Sequence, residues 1–151
     1  MSALVEINDL TKVYRSGEVT FQALKGVSLE LAQGDFVAVM GHSGSGKSTL
    51  LHMIGGLDYP TAGSVRVGEY LLNEMNETEL AKFRRVHVGF VFQFFNLVDN
   101  LTVQANVELP AILARRGNGK AIREASQRLL EGLGIAEQAH KHPWGLSGGE
   151  Q

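Results

Sequence analysis

The sequence predicts an α/β fold, and three observations carry that prediction. The unbroken apolar run Phe36 to Met40 has the composition of a strand covered on both faces, and Val88 to Phe92 is a second run of the same type. Between them, directly after the first run, lies the glycine-rich stretch Gly41-His42-Ser43-Gly44-Ser45-Gly46-Lys47-Ser48. Lys47 to Ile54 then suits a helix, with Gly55-Gly56 as its C-terminal stop.

The glycine-rich stretch fits G-x-x-x-x-G-K-[ST] at Gly41, Gly46, Lys47 and Ser48, in the strand–loop–helix order that a phosphate-binding loop requires. Glycines let the backbone curl until several N–H groups converge on one anion. The helix start adds its unpaired N–H groups and positive dipole end. Lys47 then supplies a cation to the β/γ-phosphates and the Ser48 hydroxyl a ligand for Mg²⁺. The competing reading is a glycine-rich turn that matches by accident. At average glycine usage of about 7% the four fixed positions match by chance in far fewer than 1% of chains this size. The 18 glycines among 151 residues raise that chance somewhat, and the flanking strand and helix lower it again.

Composition bounds the rest. A chain of 151 residues suffices for one ordinary domain with a sizeable core. A hydrophobic fraction of 44% and a charged fraction of 20% are those of a globular protein. The net charge of −2 gives no electrostatic reason to expect nucleic acid as a partner. With no cysteine there is neither a disulfide framework nor a thiolate metal site, which suits the cytosol. The start, M-S-A-L-V-E-I-N, lacks a basic segment followed by an apolar one, so no signal peptide is expected. No apolar run approaches the ~20 residues that span a bilayer, so a membrane role would come through a partner or further chain.

Taken in order, Leu4 to Leu10 and Val19 to Leu31 read as antiparallel strands joined at Ser16-Gly17-Glu18. Tyr14, beside Arg15, reads from this pattern alone as a half-buried strand aromatic. Asp58 to Gly63 is a loop by its turn residues, and Ser64 to Val67 and Tyr70 to Leu72 are short strands. Asn76, with Glu79 three residues on, opens a helix through about Val86. Thr102 to Arg116 reads as a helix bent or restarted at Pro110. After the turn Gly117-Asn118-Gly119, an amphipathic helix from Lys120 to Leu133 sets Ile122, Leu129, Leu130 and Leu133 on one side.

A second informative stretch closes the chain: Leu146-Ser147-Gly148-Gly149-Glu150-Gln151. Taken alone it is a turn or a helix cap. The functional alternative is that Ser147 and the amides of Gly148 and Gly149 form another anion-binding helix start. Two such cradles, a hundred residues apart from Lys47 to Ser147, imply two nucleotides or one nucleotide shared between two copies.

G-H-S-G-S-G-K-S, then Gln93 after an apolar run, then L-S-G-G-E-Q together resemble the nucleotide-binding domain of ATP-binding cassette (ABC) transporters. The resemblance covers the whole chain. It implies that Gly41, Ser43, Gly44, Ser45, Gly46, Lys47, Ser48 and Thr49 hold the phosphates of ATP, with Ser48 and Gln93 on Mg²⁺ and Gln93 also near the attacking water. It implies that Tyr14 stacks on adenine. It makes Leu146 to Gln151 the signature motif, with Ser147, Gly148, Gly149 and Glu150 at a nucleotide held by a second copy in a head-to-tail dimer.

Val88 to Pro110 is similar, more narrowly, to the lipoprotein-releasing and macrolide-exporter branch. In that branch Phe94, Phe95, Leu97 and Leu101 lie in a helical subdomain that touches an integral membrane permease subunit. Packing the subdomain's own core is the other reading of these four residues.

The family continues past the signature into an aspartate, a catalytic glutamate and a switch histidine, none of which this sequence contains. His42, His52, His87, His140 and His142 all precede the signature, and neither Asp35 nor Asp58 follows an apolar strand. The expectation is the N-terminal portion of an α/β P-loop core of ABC ATPase type. An antiparallel β subdomain takes about 1–35, the loop core about 36–93, an inserted helical subdomain about 94–144 and the signature 146–151. By itself the chain is expected to be inactive and poorly soluble. The intact protein is expected to bind and hydrolyse ATP at the cytoplasmic face of a membrane, driving export or lipoprotein release. The alternatives are a soluble ABC ATPase of translation and a regulatory cassette that binds nucleotide without turnover. Repair-type members, with long coiled coils between the motifs, do not fit the spacing.

Overall fold

Alternating apolar and polar residues draw the start of the chain into two long antiparallel strands, β1 (Val5–Ser16) and β2 (Val19–Leu31), which turn at Gly17. Two further strands, β3 (Ala62–Val67) and β4 (Tyr70–Leu71), complete a sheet in the order β2-β1-β3-β4, antiparallel throughout. The computed structural model describes residues 3–150, and these divide into two units between Arg84 and Arg85.

In the first unit β1 buries Val5, Ile7 and Leu10, a spacing that breaks period two because the ladder with β2 slips after Ile7 and the ladder with β3 after Asn8. Asp9 sits within that slip at φ 46, and the extra residue turns Leu10 back to the core. Gly63 of β3 lies against this bulge so closely that a Cβ there would be 2.4 Å from the Asp9 carbonyl oxygen. Helix α1 (Lys47–Ile54) packs on β2 and β3, and Leu50 and Met53 of the helix are buried, as are Leu24 and Val65 of the strands. Helix α2 (Glu77–His87) starts in a reciprocal cap, as the sequence predicts: Glu79 N donates to Asn76 Oδ1 at 3.0 Å and Asn76 N to Glu79 Oε2 at 2.8 Å.

In the second unit α3 (Val103–Leu113) is capped by the Thr102 hydroxyl and α4 (Gly119–Gly132) by the Asn118 side chain. Pro110 neither ends nor restarts α3; it lies inside the last turns, and the helix closes at Leu113, short of Arg116. The buried side of α4 differs from the expected one. Ile122, Ser126 and Leu130 are buried at i, i+4 spacing while Leu129 and Leu133 are exposed. Ser126 is drawn inward because Gln104 and Glu108 on α3 offer it partners, at 3.4 and 3.1 Å.

The two expected buried strands are corrected. Neither Phe36–Met40 nor Val88–Phe92 carries regular structure, and Phe36 and Val91 are fully exposed. A strand takes its hydrogen bonds only from neighbours, and no described residue pairs with either run.

Candidate functional site

The loop Gly41–Gly46 leads into α1 with Gly46 at the N-cap, φ 91 and ψ 4. Two constraints make this residue glycine. The left-handed conformation is one, and a Cβ at this point would lie 2.5 Å from the Ala23 carbonyl oxygen of β2. The loop is thereby seated on the sheet. No side chain caps α1, so the N–H groups of its first turn face outward for an anion. Ser45 N bonds the His42 carbonyl at 3.2 Å, tightening the loop. The Lys47 ammonium folds back over it, donating to the carbonyls of Gly41 at 2.9 Å and His42 at 2.8 Å. Ser43, Gly44, Ser45 and Ser48 are exposed, and Thr49 is half-buried.

Tyr14 belongs to the same unit. It lies within β1, and its side of the strand is partly open, at 39% exposure. That is incompatible with a core aromatic. Its hydroxyl donates to Asp58 Oδ2 at 3.0 Å. Asp58 Oδ1 accepts from Lys12 Nζ at 2.7 Å and from the Tyr59 amide at 2.7 Å. Partial burial works to raise the Asp58 carboxyl, but the hydrogen bonds from Lys12, Tyr14 and the Tyr59 amide prevail and hold it below its ordinary value. Burial and the Asp58 carboxylate push the Tyr14 hydroxyl up, against a hydrogen bond with Thr49. Sequence reasoning missed Lys12 and read Asp58 only as a turn residue. The available signal was Lys12 two residues before Tyr14 on one strand.

The second unit holds the other expected residues. Gln93 is exposed, in a bend just before a groove of about 410 Å³ lined by Phe94, Phe95, Leu97, Asp99, Pro143 and Trp144. Phe94 and Phe95 are exposed and so do not pack the helical core, whereas Leu97 and Leu101 are half-buried. At the chain's end Ser147 caps a turn: its amide and hydroxyl both donate to Glu150 Oε2, at 2.8 and 2.6 Å. With Glu150 N donating to the Ser147 carbonyl at 3.0 Å, this closes a turn on itself, the local reading of S-G-G-E. The Ser147 hydroxyl and then its amide draw the Glu150 carboxyl below its usual range. Gly148 and Gly149 are exposed, and Gln151 lies outside the described residues.

A glycine loop seated on a sheet, opening a helix with its lysine folded across it, defines a protein of the P-loop class. The chain belongs to the ABC transporter family, whose model matches residues 24–151. It is 45% identical over 151 residues to the lipoprotein-releasing system ATP-binding protein LolD of Geobacter metallireducens, covering all of this chain and 67% of that one. It is 46% identical over 149 residues to the macrolide export ATP-binding/permease protein MacB of Marinobacter nauticus, covering 98% of this chain and 23% of that protein. Among solved structures it resembles the dimeric post-hydrolysis state of the ATP-binding cassette MJ0796 bound to ADP and Pi. That match has a TM-score of 0.90 at 44% identity and covers 97% of this chain and 64% of that one. The chain thus spans between about a quarter and two thirds of these relatives. The α/β cassette fold read from the sequence is the fold of these neighbours, as is the resemblance to the lipoprotein-releasing and macrolide branch.

Proposed function

We propose that this chain supplies the ATP-binding face of an ABC transporter ATPase. The observation that carries the reading is the seating of Lys47. Its ammonium is held by two loop carbonyls beside an uncapped helix start, so an incoming triphosphate offers it stronger, charged acceptors without moving the backbone. Gly41 to Ser48 with Thr49 then bind the phosphates, and Tyr14 presents an open ring face to the adenine.

Mg²⁺ would be held by the Ser48 hydroxyl of the loop, and Gln93 is the further ligand that the family resemblance implies. Among the described residues no group of three His, Cys, Asp or Glu side chains could hold a metal, so phosphate oxygens and water would fill its remaining positions, as suits this ion. When bound, it neutralises charge on the transferring phosphoryl group. Ser147, Gly148, Gly149 and Glu150 of a second copy would face the γ-phosphate, as the dimeric state of the MJ0796 cassette supports. The exposed Phe94 and Phe95 suit contact with a permease subunit. No helix among the described residues is long and apolar enough to cross a membrane. The names LolD and MacB support a place at the cytoplasmic face, in lipoprotein release or export. The division into a β subdomain to about 35, a core to 93, a helical subdomain over 94–144 and a signature at 146–151 belongs to the same reading.

The test is Lys47→Ala in the protein as the cell makes it. ATP affinity should fall about tenfold or more and turnover should vanish. Equal affinity and rate in the variant would refute the assignment.

A further inference from the structure

A tyrosine on a strand surface is free to rotate about two side-chain bonds, and a ring that stacks on a ligand must lose that freedom beforehand or at binding. Tyr14 has lost it already. Its hydroxyl is tied to Asp58 Oδ2 at 3.0 Å, and the Lys12 ammonium lies over one face of its ring, 4.9 Å from the centroid. Lys12 is itself fixed, by Asp58 Oδ1 at 2.7 Å and the Tyr59 carbonyl at 2.6 Å, and its side chain is only 12% exposed. The clamp is anchored in turn. Tyr59 N donates to Asp58 Oδ1 at 2.7 Å, and Tyr59 OH donates to the Met75 carbonyl at 3.0 Å.

Asp58 lies four residues beyond the end of α1, the helix that opens at the phosphate loop. The loop that leaves the phosphate-binding helix therefore holds this phenol. With one ring face taken by Lys12, only the other is open to a flat partner.

We propose that Asp58, with Lys12, is a positioning clamp that fixes the Tyr14 ring relative to the phosphate loop, so that the base and phosphate subsites are set at one distance before nucleotide arrives. Neither residue touches the nucleotide; they act through Tyr14. The inference rests on the reading of Tyr14 as the base-stacking residue and deepens it.

The experiment is calorimetric titration of the protein with ATP and, separately, with inorganic tripolyphosphate, each with Mg²⁺, for wild type, Tyr14→Ala, Tyr14→Phe, Asp58→Asn and the Tyr14→Phe/Asp58→Asn double variant. Tyr14→Phe keeps the ring and removes only the hydroxyl anchor, leaving the Lys12–Asp58 pair intact. If Asp58→Asn fails to fold, this variant decides alone. Tyr14→Phe and Asp58→Asn should each weaken ATP roughly threefold to tenfold, the range of one hydrogen bond, and leave tripolyphosphate affinity unchanged. The double variant should be no weaker than the worse single one, because both changes cut the same link.

If Tyr14→Ala leaves ATP affinity untouched, the stacking reading itself fails, and the clamp with it. If Tyr14→Ala weakens ATP while Tyr14→Phe and Asp58→Asn do not, the stacking reading stands and the clamp is overturned. Equal losses for ATP and tripolyphosphate would also overturn it, by showing a general disturbance of the unit.

Discussion

Replacing Gly46 by alanine tests the seating of the phosphate loop on the sheet, and a second glycine supplies its control. Gly46 sits at φ 91, and an alanine held in left-handed backbone costs about 1–2 kcal/mol. Its Cβ would also lie 2.5 Å from the Ala23 carbonyl oxygen and 3.1 Å from Leu24 Cδ2. The Leu24 methyl can yield, but the carbonyl belongs to the backbone of β2 and cannot move without disturbing that strand. Forced contacts of this kind cost about 1–3 kcal/mol. The two effects together give roughly 2–5 kcal/mol, a large share of the ~5–15 kcal/mol that holds a domain folded. Gly44, at φ +78, has no atom within 4 Å of its would-be Cβ, so Gly44→Ala should cost only the conformational part, about 1–2 kcal/mol. Urea unfolding followed by circular dichroism reads both. The difference between the variants, about 1–3 kcal/mol, isolates the contact with Ala23. Equal losses for the two glycines would refute the seating of Gly46 on β2.

Two further outcomes follow from Tyr14 and Asp58. Tyr14→Ala should lower ATP affinity roughly fivefold to a hundredfold, as loss of a base stack does, with far less effect on ligand-free melting than the ~3–5 kcal/mol of a core aromatic. A large fall in melting temperature with unchanged affinity would decide for a structural ring instead. Asp58 has a folded-state pKa below its ordinary 3.8, so the unfolded chain takes up its proton first as pH falls. Its contribution to stability is therefore fully present well above 3.8 and is lost as pH drops through the lower, folded value. Melting curves from neutral to acid pH should show wild type losing its advantage over Asp58→Asn below 3.8. A gap that stays constant through that range would contradict the hydrogen bonds assigned to this carboxylate.

The elements that the sequence makes legible are those whose signals are local. Alternation and the turn at Gly17 specify β1 and β2, and Asn76 with Glu79 specifies the start of α2 within four residues. Phe36–Met40 and Val88–Phe92 are different in kind. An apolar run states that its residues need cover on both faces without naming what supplies it, and no described strand pairs with them. The buried face of α4 departs from the expected one for a related reason. Counting leucines gave Leu129 and Leu133, but the polar Ser126 is buried between Ile122 and Leu130 because α3 presents Gln104 and Glu108 to it. Hydrophobicity alone carries no record of such a partner.

The same distinction separates the two halves of the candidate site in the first unit. The phosphate loop is contiguous, so its chemistry is written in eight residues, and Lys47 finds its carbonyl partners only five and six positions away. The clamp on Tyr14 joins residues 44 to 47 positions apart, and each of them has a complete local explanation of its own. Lys12 is an acceptable strand cation, and Asp58 an acceptable turn residue before Pro60. What turns them into one unit is the pairing of β1 with β3, which sets Thr11 opposite Ala62 and so brings the chain just before β3 beside Lys12 and Tyr14. The register of that pairing depends on the bulge at Asp9, against which only a glycine fits at position 63. A glycine outside the phosphate loop thus governs where the Asp58 carboxylate stands, and through it where the Tyr14 ring can turn.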